Sequence, residues 1–144
     1  MYLSKHFTLK EFTDSDYALR HGLNNEPTSE ALLNLERLAE FLETVRTVIG
    51  SPIVISSGYR SPKVNKGVKG SKHSQHCFGC AADIKVGGMN ADQIVKKIMA
   101  SGIQYDQIIR EYDAWCHISI PNAPTDKPRK KILIIDGIGT RMYS

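Results

Sequence analysis

Leu32, Leu35, Leu38, Ala39, Leu42, Val45 and Ile49 recur at the spacing that lines up side chains along one face of an α-helix. Pro27-Thr28-Ser29-Glu30 opens that stripe and Gly50 stops it. A helix with one apolar face has to bury it, so this segment fixes one layer of the fold and the rest of the chain must supply another. The residues that follow do so. Ile53-Val54-Ile55 is a β-branched run bounded by proline and glycine, and it predicts a buried strand over 52–57.

Shorter elements surround this pair. Thr8-Leu9-Lys10-Glu11 has the pattern of a capping box and predicts a short helix; residues 15–20 predict a second, ended by Gly22. Residues 61–72 carry Lys63, Lys66, Lys69 and Lys72 without apolar periodicity and read as an exposed loop. A strand over 82–86 follows, then a helix opened by Asn90 with Gln93 and closed at Gly102. Residues 107–112 and 115–120 read as a β-hairpin, and 132–135 with 140–143 as a last strand pair around Gly137-Ile138-Gly139. The expected architecture is α+β, a small antiparallel sheet flanked by helices. It forms one domain over 1–144, helical to about residue 50 and sheet-forming from about 51.

A chain of 144 residues, 41% hydrophobic and 24% charged, can close one core without disulfide support. Three cysteines, two of them in the glycine-bearing stretch Cys77–Cys80, are expected to be reduced thiols. The N-terminus has no secretory apolar run and no later segment would span a bilayer, so cytoplasmic synthesis, no membrane partner and a monomer are expected. The net charge of +4 suits an anionic partner such as a cell wall. Lys127-Pro128-Arg129-Lys130-Lys131 has no nucleic-acid motif and no aromatic platform beside it, which argues against nucleic acid.

The chemistry concentrates in Ser74-Gln75-His76-Cys77-Phe78-Gly79-Cys80-Ala81-Ala82-Asp83. An imidazole and a carboxylate separated by a turn-permitting glycine suit a zinc site that needs one more protein ligand and an open position. His117 is the candidate third ligand, beside His76 and Asp83. Glu111, six residues before His117, is the carboxylate placed to take a proton from the water that zinc activates. Asp113 competes for that role, although an aspartate in a hairpin turn ordinarily serves the turn. Arg60, at a strand end, is able to grip a substrate carboxylate in bidentate fashion. Ser74, and less so His73, are candidates to hydrogen-bond substrate or a developing oxyanion.

Hairpin geometry tests Glu111. If Asp113-Ala114 alone form the turn, Glu111 lies opposite Cys116 and His117 faces away. An odd-numbered loop or a bulge instead places Glu111 opposite His117, with Cβ atoms roughly 5 Å apart. We expect the odd loop.

With these residues assembled, the chain resembles the M15 zinc peptidases, a group of D-Ala-D-Ala carboxypeptidases, vancomycin-resistance D,D-dipeptidases and phage peptidoglycan endopeptidases. The resemblance spans about Phe7 to Ile120. It rests on Ser-Gly-Tyr-Arg at Ser57–Arg60, Ser-x-His-x-x-Gly-x-Ala-x-Asp at Ser74–Asp83, and Trp-x-His at Trp115–His117. It implies zinc at His76, Asp83 and His117, substrate contacts from Arg60 and Ser74, and a Hedgehog/DD-peptidase-like fold. Many members carry a catalytic acid three residues before the third ligand, where this chain has Ala114. The related Hedgehog domain has a glutamate six residues before its last ligand, the spacing of Glu111.

The expected function is therefore a zinc metallopeptidase cutting amide bonds in peptidoglycan stem peptides, acting at the wall after release. The alternative is a non-catalytic zinc-bearing binding module of Hedgehog type, which would need neither Glu111 nor Arg60. A structural zinc on Cys77, Cys80 and Cys116 is a third reading, weakened because Cys116 should point away from its neighbour His117.

Overall fold

The Thr28 hydroxyl accepts from Ala31 N and Gly50 adopts φ 77 at the other end, so the apolar stripe between them forms α3 over Ser29–Ile49. Two short helices precede it, α1 (Leu9–Thr13), opened by the Thr8/Glu11 capping box, and α2 (Asp16–His21), closed by Gly22. After it come β1 (Val54–Ser57), α4 (Pro62–Gly67), a 3-10 turn (Gln75–Phe78), β2 (Ala81–Lys85) and α5 (Ala91–Ser101). The chain ends in β3 (Gln107–Glu111), β4 (Trp115–Ser119), β5 (Lys131–Asp136) and β6 (Gly139–Met142). This computed structural model describes residues 1–143. Among them no helix is long and apolar enough to cross a membrane.

The fold is α+β. Its six strands form one sheet in the order β1-β2-β4-β3-β5-β6. Because strand side chains alternate, the sheet has two unlike faces. Ala82, Ile84, Ile108, Cys116 and Ile118 point to one face and join Leu35, Leu38, Leu42, Val45 and Ile49 of α3 and Ile94, Val95 and Ile98 of α5 in the hydrophobic core. Each fully buried leucine, isoleucine or valine among them contributes about 1.5–3 kcal/mol of transfer free energy. Asp83, Ile109, Glu111, Trp115 and His117 occupy the other face.

Three expectations are corrected. The sheet is not wholly antiparallel, since β5 runs parallel to β3, with Gln107 opposite Lys131. β4 ends where β3 begins, Ser119 against Gln107, so a chain re-entering the sheet beside β3 at that end must run with it. Second, β1 is an edge strand and not a buried one. Val54 is 60% exposed, and the pairing with β2 slips between Ile55 and Ser57. Third, the lysine-bearing segment is not all loop. The Ser61 hydroxyl accepts from Val64 N and Pro62 stands in the first turn, a start signal that builds α4 and buries Val64 and Asn65. The lysines occupy what remains exposed.

Candidate metal centre

The antiparallel pairing of β2 with β4 sets Asp83 directly opposite His117. The 3-10 turn brings in His76 from above the sheet. Its start is capped by Ser74, whose hydroxyl accepts from His76 N at 3.2 Å, and its end is Gly79 at φ 76, packed where an added Cβ would lie 2.5 Å from the Ala31 carbonyl oxygen. The ligand atoms of His76, Asp83 and His117 lie within 4.8 Å of one another, and all three residues are buried. It is the one such group of three among the described residues.

The hydrogen bonds fix which ring atom is offered. His76 Nδ1 sits 2.6 Å from the Gly58 carbonyl oxygen, which can only accept, so Nδ1 carries the proton and Nε2 presents a lone pair. That Nε2 is buried without a hydrogen-bond partner, 3.3 Å from Asp83 Oδ1. The same carboxylate oxygen lies 3.1 Å from His117 Nδ1. Burial pushes the His76 imidazole below its ordinary value, favouring the neutral ring. Burial also opposes the charge on Asp83, and the rings of His76 and His117 lower this carboxyl only where a ring proton points at it. A neutral nitrogen lone pair facing an ionised carboxylate in a buried pocket is unfavourable alone and is the donor set that a divalent cation satisfies. The residues fit zinc. The Gly58 carbonyl orients the His76 ring from behind, as metal-bound histidines generally require.

Glu111 shares the site face with His117. The β3–β4 loop is Tyr112-Asp113-Ala114, odd-numbered as expected, with φ 53 at both Tyr112 and Asp113 and Ala114 N donating to the Glu111 carbonyl at 2.9 Å. Its register corrects one detail. Trp115 is opposite Glu111, and Ile109 is opposite His117, because a three-residue loop pairs the residues that immediately flank it. Glu111 and His117 are therefore diagonal neighbours, with Cα atoms roughly 7 Å apart. Burial, and then the Asp83 charge, raise the Glu111 carboxyl above its ordinary value. The Trp115 indole nitrogen approaches that carboxyl but has no completed hydrogen bond.

A cleft of about 790 Å³ opens over this face and takes in Arg60, Ser74, His76, Asp83, Glu111 and His117. Arg60 Nη1 donates to Asn65 Oδ1 at 3.2 Å, while its Nε is buried and unpartnered. His73 lies at the exposed rim. Asp113 is spent elsewhere, its Oδ1 accepting from Asp92 N at the start of α5. The cysteines form no site: Cys116 is buried on the core face, and Cys77 and Cys80 are free thiols at the 3-10 turn.

A family model described as Peptidase M15 matches residues 5–119. The chain belongs to the peptidase M15 family. No curated protein matches the chain. Membership makes it a hydrolytic metallopeptidase of the zinc type, and the buried His76, Asp83 and His117 are the residues present to hold the ion. All six candidate site residues of this M15 peptidase fall within the matched segment, whereas β5 and β6 lie beyond it. The cleft also contains residues that sequence reasoning missed. Gln75 and Arg129 line it, joined to Asp106 in a hydrogen-bonded group. Arg129 was visible only as part of a basic run, and Asp106 carried no signal.

Proposed function

We propose that this M15 peptidase has the Hedgehog/DD-peptidase-like fold and hydrolyses amide bonds in peptidoglycan stem peptides, as a D,D-carboxypeptidase or an endolysin-type endopeptidase. The observation that carries the reading is the unpartnered His76 Nε2 beside Asp83 and His117, with Glu111 on the same face. His76, Asp83 and His117 would hold the zinc ion, which when bound would supply Lewis acidity to the site. Glu111 accepts a proton from the attacking water and delivers it to the departing amine as the C–N bond breaks. A carboxyl with raised proton affinity suits both halves of that transfer. Arg60, steadied by Asn65, binds a substrate carboxylate, and the Ser74 hydroxyl, which keeps its proton to donate, contacts substrate. Asp83, Ile109 and His117 of the sheet face beneath are buried, which limits competing water.

The test is mass spectrometry of fragments released from purified peptidoglycan by zinc-loaded protein, with Glu111→Gln beside it. The wild type should release defined peptides, and the variant should retain zinc while cutting about 10² to 10⁴ times more slowly. If both hold zinc and neither releases a fragment, the site belongs to a binding module.

A further inference from the structure

Gln75, Asp106 and Arg129 come from three distant parts of the chain and meet at the cleft, where Gln75 and Arg129 line the wall and Asp106 lies behind them. Arg129 Nε and Nη2 both donate to Asp106 Oδ2, at 3.0 and 2.7 Å, and its backbone N donates to Oδ1 at 3.0 Å. Gln75 Nε2 donates to the same carboxylate at 3.1 Å, and Gln75 Oε1 accepts from Arg129 Nη2 at 3.5 Å. The Asp106 side chain is 5% exposed and that of Arg129 is 47% exposed. The carboxylate is thus the buried anchor, and the guanidinium is the part presented to the cleft.

A pin that merely docks β5 onto the rest of the sheet would account for the buried half of this arrangement. It leaves the other half unexplained. Two of the three guanidinium nitrogens are held, so the plane is fixed, while Nη1 has no hydrogen-bond partner among the described residues. An arginine whose orientation is already set loses little side-chain freedom when it binds a carboxylate. Its place along the sheet gives the reach. Asp106 precedes β3, and Ile109 is the β3 residue level with His117 and Asp83. Three strand residues separate them, roughly 10 Å. An extended peptide covers that span in about three residues.

We infer that Arg129 is a second carboxylate anchor in the cleft, selecting peptides with an acidic group two to three residues from the amide that is cut. Arg129 lies outside the segment that matches the family. It is a specificity residue contributed by the segment that leads into β5. The inference rests on the peptidase reading only for cleavage of that amide, and the experiment separates the two.

Synthetic peptides that differ only in carrying a carboxylate or a carboxamide, placed one to five residues from the susceptible amide, are titrated calorimetrically into zinc-loaded Glu111→Gln protein. Turnover by the wild type is followed in parallel. The carboxylate form should bind about tenfold more tightly, the preference should peak at two to three residues, and it should fall to about one in Arg129→Gln. A flat distance series, measured without touching Arg129, overturns the inference even if that variant fails to fold. So does a preference that survives folded Arg129→Gln. If the preference appears but the wild type cleaves nothing, the anchor stands and the peptidase reading falls. If cleavage occurs without preference, the anchor alone falls.

Discussion

β4 carries two kinds of buried residue one position apart. Cys116 and Ile118 face the helices and are fully enclosed by apolar neighbours; His117, 7% exposed, faces the cleft and lies against another imidazole and a carboxylate. Both faces are shielded from water, but only one is chemically satisfied. On the core side, burial and stability go together. On the cleft side, burial concentrates unpartnered lone pairs and charge, which stabilise the protein only when a cation joins them. Strand alternation therefore lets one five-residue element hold the fold together with one set of side chains and present chemistry with the other.

The largest effect should come from the cleft face. Asp83→Asn replaces the carboxylate that both histidines share and should lower zinc affinity by more than about 100-fold, read by competition with a chelating dye. The metal-free variant should unfold in urea within about 1 kcal/mol of the metal-free wild type, because the exchange removes a buried charge and keeps the shape. A loss above about 3 kcal/mol would erase the distinction between the faces. Ile118→Ala makes the opposite demand. It should destabilise by about 2–5 kcal/mol through the cavity it leaves, while the folded fraction still binds one equivalent of zinc.

Gly58→Ala probes the seam between the two. An added Cβ would lie 2.6 Å from the Phe12 carbonyl oxygen, so the backbone has to shift, and with it the carbonyl that orients His76. Both readouts should respond, a loss of about 1–3 kcal/mol in urea unfolding together with about 10- to 100-fold weaker zinc binding. A change in one readout without the other would show that Gly58 serves a single face.

What the sequence made legible follows from how local each feature is. The periodicity of α3 and the Asn90/Gln93 capping box of α5 are contained within their own segments, and both helices stand where they were expected. The Ser61-Pro62 start signal of α4 was equally local, but the lysines around it masked the buried Val64. Strand pairing is non-local. Nothing in Lys131–Asp136 distinguishes a strand parallel to β3 from one antiparallel to it, and Ile53-Val54-Ile55 reads the same in a central strand as at an exposed edge. The candidate site divides in the same way. His76, Asp83 and His117 were each marked by residue type and motif, and the sheet brings them together. The Gln75, Asp106 and Arg129 group has no motif, since an aspartate and an arginine acquire meaning only once β5 lies beside β3.

The smallest effect belongs to the helical side, and acid should reveal it. Glu43 of α3 accepts from Ser4 Oγ at 2.6 Å and His6 N at 2.7 Å, and its other oxygen lies 2.6 Å from His6 Nδ1. Burial opposes its charge, but these bonds prevail and lower the carboxyl to about 2. Because the folded value lies below the unfolded one, the clamp stabilises fully above the ordinary glutamate value of 4.5 and fades as pH falls toward 2. Glu43→Gln should therefore cost about 1 kcal/mol at pH 7, after allowance for solvent screening, and the difference should vanish as pH falls through about 2. Urea unfolding of metal-free wild type and variant at several pH values measures that difference. A gap that persists at the acid end would place the contribution of Glu43 in packing of its methylenes against the N-terminal segment.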